Sequence, residues 1–203
     1  MSVMLIALTG GIASGKTIAS DYLADLGLPV IDTDVVAREV VQPGSQGLSL
    51  IREEFGGRVM NKEGGLDRSA LKQLVFNDVD KLKKLNAILH PLIQQGVGSH
   101  LRSIDRQLAV IVIPLLTSQV VNAYAIDRVL MIDVSQQVQL KRVMSRDQVG
   151  QEMAHKIIDS QPDRLTKLAL ADDVLVNHDS IASLKSKLKL LLPVYLALKS
   201  IQR

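Results

Sequence analysis

The sequence predicts an α/β domain of three layers, with helices on both sides of a five-stranded parallel sheet. Three observations carry this. Short apolar, β-branched runs recur between longer stretches of helical period. Four of the five runs are almost continuously apolar, as expected of strands covered on both faces. The first run leads directly into a glycine-rich turn and then a helix, the order that opens a right-handed β-α-β unit.

The strands read as Val3–Leu8, Pro29–Asp32, Ala109–Ile113, Arg128–Ile132 and Asp173–Val176. Amphipathic stretches between them, such as Lys16–Leu26 and Ser135–Arg146, read as helices. Two segments interrupt the rhythm. Residues 44–103 carry no strand signal and form a helical insertion, in which Gly56-Gly57 and Gly64-Gly65 mark turns. A helix around Lys81–Leu89 is expected to stop before Pro91, because the ring disfavours helical backbone at the residue before it. Residues 142–171 are polar and charged, with helical character. Near the end, Ile181, Leu184, Leu188 and Leu191 share one helical face opposite Lys185, Lys187 and Lys189. That pattern suits a terminal helix docked on the sheet better than one lying on a membrane. The chain reads as one domain, with a core of 1–43, 104–141 and 172–203.

Composition excludes several classes. Of 203 residues, 47% are hydrophobic, enough for a sizeable core, and cysteine is absent, which removes disulfides and thiolate metal sites. Val3–Leu8 is too short for a secretory leader and lacks a basic flank, and no apolar run has bilayer length, so the expectation is a cytoplasmic protein without a membrane partner. The net charge of +3 is dispersed among acids, and the chain has no Trp, two Phe and three Tyr. That leaves neither the basic footprint nor the stacking platforms of a nucleic-acid binder.

The decisive stretch is Gly10-Gly11-Ile12-Ala13-Ser14-Gly15-Lys16-Thr17, which satisfies G-x-x-x-x-G-K-[ST] between a strand and a helix. Glycines let successive backbone N–H groups turn inward around phosphate oxygens, and the helix that follows adds its unpaired N–H groups and positive dipole end. Lys16 is expected to reach the β- and γ-phosphates of a nucleotide, and the Thr17 hydroxyl to ligate Mg²⁺. Gly11, Ile12, Ala13, Ser14, Gly15, Lys16, Thr17 and Ile18 are thus the candidate ATP-binding residues. Ala13 stands where glycine would be freer, so it either avoids left-handed backbone or carries strain of about 1 kcal/mol. Ile18 supplies no second hydroxyl.

Asp32-Thr33-Asp34 falls where the second strand ends, at the sheet edge where open α/β folds bind ligands. On an extended backbone Asp32 and Asp34 share one side. One could then take a proton from an attacking hydroxyl while the other orients it. Their position equally permits both to cap a helix over Val35–Val41. Asn61-Lys62-Glu63-Gly64 is a near miss to a guanine-recognition signal, but it lacks the aspartate and reads as a turn.

These residues resemble the dephospho-coenzyme A kinase family. The resemblance runs through Thr9-Gly10-Gly11-Ile12, Ser14-Gly15-Lys16-Thr17, Asp32-Thr33-Asp34 with Arg38, Gly65-Leu66-Asp67-Arg68, Phe76, Leu89-His90-Pro91-Leu92-Ile93 and Pro114-Leu115-Leu116. It continues through Leu140-Lys141-Arg142, Arg146-Asp147, Gln161 and Ala171-Asp172-Asp173 to Asn177, covering nearly the whole chain. It implies a P-loop fold and ATP-dependent phosphorylation of the ribose 3′-hydroxyl of dephospho-coenzyme A, the last step of coenzyme A synthesis. By the same resemblance Asp34 is the general base, 44–103 the acceptor-binding insertion and 142–171 a lid carrying Arg142 and Arg146. Thr9, Arg38 and His90 stand near the acceptor, and Asn177 near adenine. Thr117-Ser118-Gln119 and His178-Asp179 depart from the family pattern.

Other readings stay open on the residues alone. His90 could answer a helix dipole. Arg142 and Arg146, one turn apart, could be a solvated face or could meet charge on a transferring phosphoryl group. Gln161 and Lys167 are weaker candidates of that second kind. A kinase for another small hydroxyl acceptor, or a nucleotide sensor, would share the phosphate loop. Oligomeric state leaves no mark in the sequence.

Overall fold

The computed structural model describes residues 3–76 and 78–201. They form two compact units, one made of residues up to Ile31 together with those from Ile104 onward, the other Asp32–Ser103.

The first unit is built on a five-stranded parallel sheet. Its strands are β1 (Met4–Gly10), β2 (Val30–Asp32), β3 (Leu108–Val112), β4 (Arg128–Asp133) and β5 (Asp173–Val176), in the spatial order β2-β3-β1-β4-β5. β1 lies centrally, with Ile6 opposite Val110 on one side and Arg128 on the other. Its seven residues are all buried, which explains why the run is apolar without alternation. Met4, Ile6 and Leu8 face a core shared with Ala19 and Leu23 of helix α1 (Lys16–Asp25) and with Leu184, Leu188 and Tyr195 of helix α10 (Ile181–Ile201). The intervening Leu5 and Ala7 are equally inaccessible, so both faces of the sheet are covered.

The terminal helix docks through Leu184 and Leu188, while Ile181 is largely exposed. It runs ten residues further than Leu191, straight through Pro193. Tyr195 explains the extension. It is buried, donates to Asp173 Oδ2 at 3.0 Å and lies in the sheet core, so tertiary packing outweighs the hydrogen bond that Pro193 removes. Asp173 also pairs with Arg128 through the guanidinium Nε and Nη2, which joins β4 to the edge strand β5.

The second unit holds helices α2 (Thr33–Glu39), α3 (Gln46–Phe55), α4 (Arg68–Phe76) and α5 (Val79–Arg102), the last three of which pack around Ile51, Phe55, Leu71 and Leu85. Gly56 and Gly64 occupy turns, and Asn61 Oδ1 accepts from the N–H groups of Glu63 and Gly65, so Asn61–Gly64 is a turn. The expectation of a helix end before Pro91 is wrong. α5 continues for eleven residues beyond it. Leu85 and Val97, on either side of Pro91, are both buried, and α5 packs against α2, α3 and α4 along its length. One lost N–H bond does not outweigh that burial, at about 1.5–3 kcal/mol per large apolar side chain.

The remaining helices belong to the first unit. They are α6 (Ser118–Ala123), α7 (Gln136–Asp147), α8 (Gln151–Asp159) and α9 (Arg164–Leu168), and no helix among the described residues is long and apolar enough to cross a membrane. Residues 142–171 thus hold the end of α7 and all of α8 and α9.

Candidate active site

The phosphate loop joins β1 to α1. Gly15 precedes the first turn of α1 with φ 102°, and a Cβ there would also sit 2.5 Å from Asn177 Nδ2. Glycine is required twice over. Ala13, by contrast, takes the left-handed conformation with φ 56°. For an L-residue that costs about 1–2 kcal/mol, so the surroundings must hold it there.

They do so with side chains from distant parts of the chain. Gln139 Nε2 donates to the Ile12 carbonyl at 2.9 Å, and the Ile12 N–H donates to Gln161 Oε1 at 3.0 Å. Arg142 bridges the Ala13 carbonyl at 3.2 Å and the Asn177 carbonyl at 3.0 Å. Asn177 is buried and donates its amide to the Ser14 carbonyl. Lys16 Nζ lies 2.8 Å from the Gly10 carbonyl and 2.9 Å from that of Gly11. Thr17 is exposed at the start of α1, and Ile18 packs against the sheet core, so only its backbone is available to a ligand. Thr9 and Ser14 are buried with hydroxyls that have no hydrogen-bond partner.

A cavity of about 300 Å³ adjoins the loop, lined in part by Gly11, Asp133, Gln139, Gln161, Arg164 and Lys167. Lys167 is 1% exposed and its ammonium lies 3.4 Å from Gln161 Oε1. Burial pushes Lys167 below the ordinary lysine value, against a weaker upward pull from Asp163. Arg164 pairs with Asp133, at the end of β4, through two bonds of 2.8 and 2.6 Å. Sequence reasoning missed Gln139, Asp133 and Arg164. A carboxylate ending a strand beside the loop-bearing strand was the available signal for Asp133.

The remaining candidates are placed differently. Asp32 caps α2, its Oδ1 accepting from the Asp34 N–H at 2.8 Å. Because α2 starts at Thr33, the backbone does not stay extended, and the expected shared side of Asp32 and Asp34 does not form. Asp34 and Arg38 instead lie one turn apart on α2, both exposed. His90 is exposed within α5. Arg146 is held by its neighbour Asp147 through two bonds of 2.7 and 2.9 Å.

A strand, a glycine-rich loop with its lysine and a helix make a phosphate-binding core that several classes of nucleotide-binding protein share, and comparison with known proteins says which class this is. The profile of the family described as dephospho-CoA kinase matches residues 4–183. The chain belongs to the dephospho-CoA kinase family. The dephospho-CoA kinase of Thiobacillus denitrificans is 42% identical over 193 residues, which cover 95% of this chain and 96% of that one. Among solved structures, TT1252 from Thermus thermophilus aligns with a TM-score of 0.80 at 28% identity, over 95% of this chain and 98% of its own. The dephospho-CoA kinase from Campylobacter jejuni aligns with a TM-score of 0.65 at 26% identity, over 94% and 96%. As a dephospho-CoA kinase, the enzyme phosphorylates dephospho-coenzyme A at the expense of ATP, the final step of coenzyme A biosynthesis.

Proposed function

We propose that Gly11–Ile18 and Arg142 bind the triphosphate of ATP, that Lys16 meets the charge of the moving γ-phosphoryl group, and that Asp34 takes the proton from the 3′-hydroxyl of dephospho-coenzyme A. One observation carries the first part. The loop after β1 is shaped by left-handed Ala13 and Gly15, with the Lys16 ammonium folded onto it and a helix starting behind it. Successive backbone N–H groups in a turn of that kind form a concavity suited to an anion. Catalysis of phosphoryl transfer is largely positioning and charge stabilisation, which such a loop supplies.

The acceptor side is the insertion 44–103, with Thr9, Asp32, Asp34, Arg38, His90 and Arg146 as its proposed contacts. Asp34 and Arg38 support this by sharing one exposed face of α2, so a hydroxyl and an anionic group of one acceptor can meet a single helix. Asn177 acts on ATP through the loop, since its amide is engaged with Ser14. Residues 142–171 serve as the lid, closing over the nucleotide to exclude water. The reaction is assigned to the cytoplasm, in keeping with a chain that has no cysteine and uses ATP.

Mg²⁺ fits the donors available. Among the described residues no group of three or more His, Asp or Glu could hold a metal by protein ligands alone, while the Thr17 hydroxyl is exposed beside the loop. A hard cation that keeps its waters and takes one protein oxygen plus phosphate oxygens suits that set. When bound, it supplies charge neutralisation across the β- and γ-phosphates.

The test is acceptor choice. Purified enzyme with Mg-ATP is offered adenosine, AMP, shikimate and dephospho-coenzyme A, and the new phosphate is located by phosphorus NMR. Dephospho-coenzyme A should lead by at least about tenfold in kcat/KM, a margin of ~1.4 kcal/mol, with phosphate on the 3′-oxygen. A better acceptor among the others would overturn the assignment of the acceptor contacts.

A further inference from the structure

Ala13 is the one residue of the loop that is held in a conformation its own side chain opposes. The two peptide planes flanking it determine its φ and ψ, and each is fixed from outside the loop. The plane before it, through the Ile12 carbonyl, is held by Gln139, and the plane after it, through the Ala13 carbonyl, by Arg142. One residue earlier, the Ile12 N–H is held by Gln161. These contacts span 127, 129 and 149 residues of sequence, and all of them start from α7 or the turn after α8.

The orientation of Gln161 is itself determined. Its Oε1 faces two groups that can only donate, the Ile12 N–H and the Lys167 ammonium, so the amide cannot turn its NH₂ toward the loop without opposing both. Lys167 is inaccessible to solvent, and its ammonium donates to this amide oxygen. Four charged groups line the cavity around it: Asp133, Asp159, Asp163 and Arg164. The Asp133 carboxylate is engaged by Arg164 and that of Asp163 by the Leu165 N–H, while the Lys167 ammonium lies within hydrogen-bond reach of Gln161 Oε1.

We propose that Gln139 and Gln161 are positioning residues that keep Ala13 left-handed before ATP arrives, with Lys167 fixing the face that Gln161 presents to the loop. Their contribution to ATP binding is then the strain of an alanine where glycine would be at ease. It follows that replacing Ala13 by glycine makes both glutamines largely dispensable, although both bond to the backbone of Ile12. This rests on the assignment of Gly11–Ile18 to ATP.

The experiment is a double-mutant cycle read by ATP affinity in calorimetry, on Gln139→Ala and Gln161→Ala, each in the Ala13 and the Ala13→Gly background. With Ala13 in place, each should weaken ATP about threefold to tenfold, since the most that can be lost is the left-handed cost, worth about tenfold. In the glycine background each loss should fall within about twofold, and KM for dephospho-coenzyme A should stay within about twofold throughout. Losses of equal size in both backgrounds, or no loss in either, would overturn the proposal. Lys167→Met leaves both glutamines in place. It should weaken ATP in the Ala13 background and much less in the glycine one, which keeps the test open if a glutamine variant fails to fold. Lys16→Ala is the control. ATP affinity indifferent to Lys16 would remove the loop assignment itself, a different failure from an unchanged cycle.

Discussion

Asn177 donates its side-chain amide to the carbonyl oxygen of Ser14 at 2.7 Å, tying the end of the edge strand to a loop 163 residues earlier. Both residues are buried, and Gly15 lacks the Cβ that would block the approach. A residue that resembles an adenine contact is therefore engaged with the loop backbone. The two roles predict different kinetics. Asn177→Ala should raise KM for ATP and GTP by the same factor, about threefold to tenfold, because the loop binds phosphates and is indifferent to the base. It should also lower stability by about 1–3 kcal/mol, the cost of a buried carbonyl left without its donor. A changed ATP-to-GTP ratio with unchanged stability would return Asn177 to the adenine side.

Lys16→Ala should leave the fold intact and remove phosphoryl transfer. The ammonium lies on the Gly10 and Gly11 carbonyls, at the loop surface and not in the core. Its loss should lower kcat by about 10²–10³-fold, as for other positioned groups that stabilise transition-state charge. Matching far-ultraviolet spectra and thermal midpoints would check the fold, and activity within threefold of wild type would refute the role.

The two aspartates should separate cleanly. Asp32 is the cap of α2, so Asp32→Asn, which retains a capping oxygen, should change little, and Asp32→Ala should cost about 1 kcal/mol. Asp34 lies in the first turn, and Asp34→Asn should lower kcat about 10²–10⁴-fold with stability nearly unchanged. Single-turnover rates and urea melts on the three variants decide it. A reversed order of kcat would mean that Asp32 is the base.

The sheet was legible because each strand is a short apolar run bounded by turn signals, and the phosphate loop because its spacing, strand and helix occur together. What escaped notice is instructive. α5 passes through Pro91 because Leu85 and Val97 are buried on either side, a tertiary gain that local rules for proline do not count. Asp34 turned out helical because the Asp32 carboxylate accepts its N–H, so of the two residues whose position permitted capping, Asp32 is the one that caps. Gln139 reaches the loop across more than a hundred residues, side chain to backbone. Such contacts leave no periodicity and no motif, because a backbone carbonyl looks the same at every residue.

The link between Arg128 and Asp173 should show itself in acid. Burial raises the Asp173 carboxyl, but hydrogen bonds from Arg128 and Tyr195 outweigh it and hold the group below the usual carboxylate range. A carboxyl whose folded value is depressed adds stability that is present above its unfolded value of about 3.9 and is lost as pH falls through the folded value. Asp173→Asn should therefore be about 1–3 kcal/mol less stable than wild type at pH 7, the range for hydrogen bonds to a charged group. The gap should persist down to about pH 4 and close below it. Urea midpoints from pH 7 to pH 2 measure this, and a gap independent of pH would assign the loss to packing.

Lys167→Met should make the unliganded enzyme more stable while making it bind ATP less well. Lys167 is wholly buried, and burial holds its value below that of an exposed lysine, with Asp163 opposing more weakly. A lysine whose folded value is depressed binds its proton less tightly when folded than when unfolded. Its penalty on stability is then complete below the folded value and shrinks as pH rises from there toward the unfolded value of about 10.4. Methionine has a similar length and no charge, so the penalty disappears, and the gain near neutrality should be about 1–3 kcal/mol, as when buried ionic groups give way to apolar ones. The advantage should narrow as pH approaches 10. The same substitution removes one of the two donors that orient the Gln161 amide, so ATP affinity should fall as stability rises. Thermal midpoints across pH 7–10, set beside ATP affinity by calorimetry, test both halves. A variant that loses stability and affinity together would show that Lys167 serves the fold, and that its burial beside the phosphate loop has no bearing on the nucleotide.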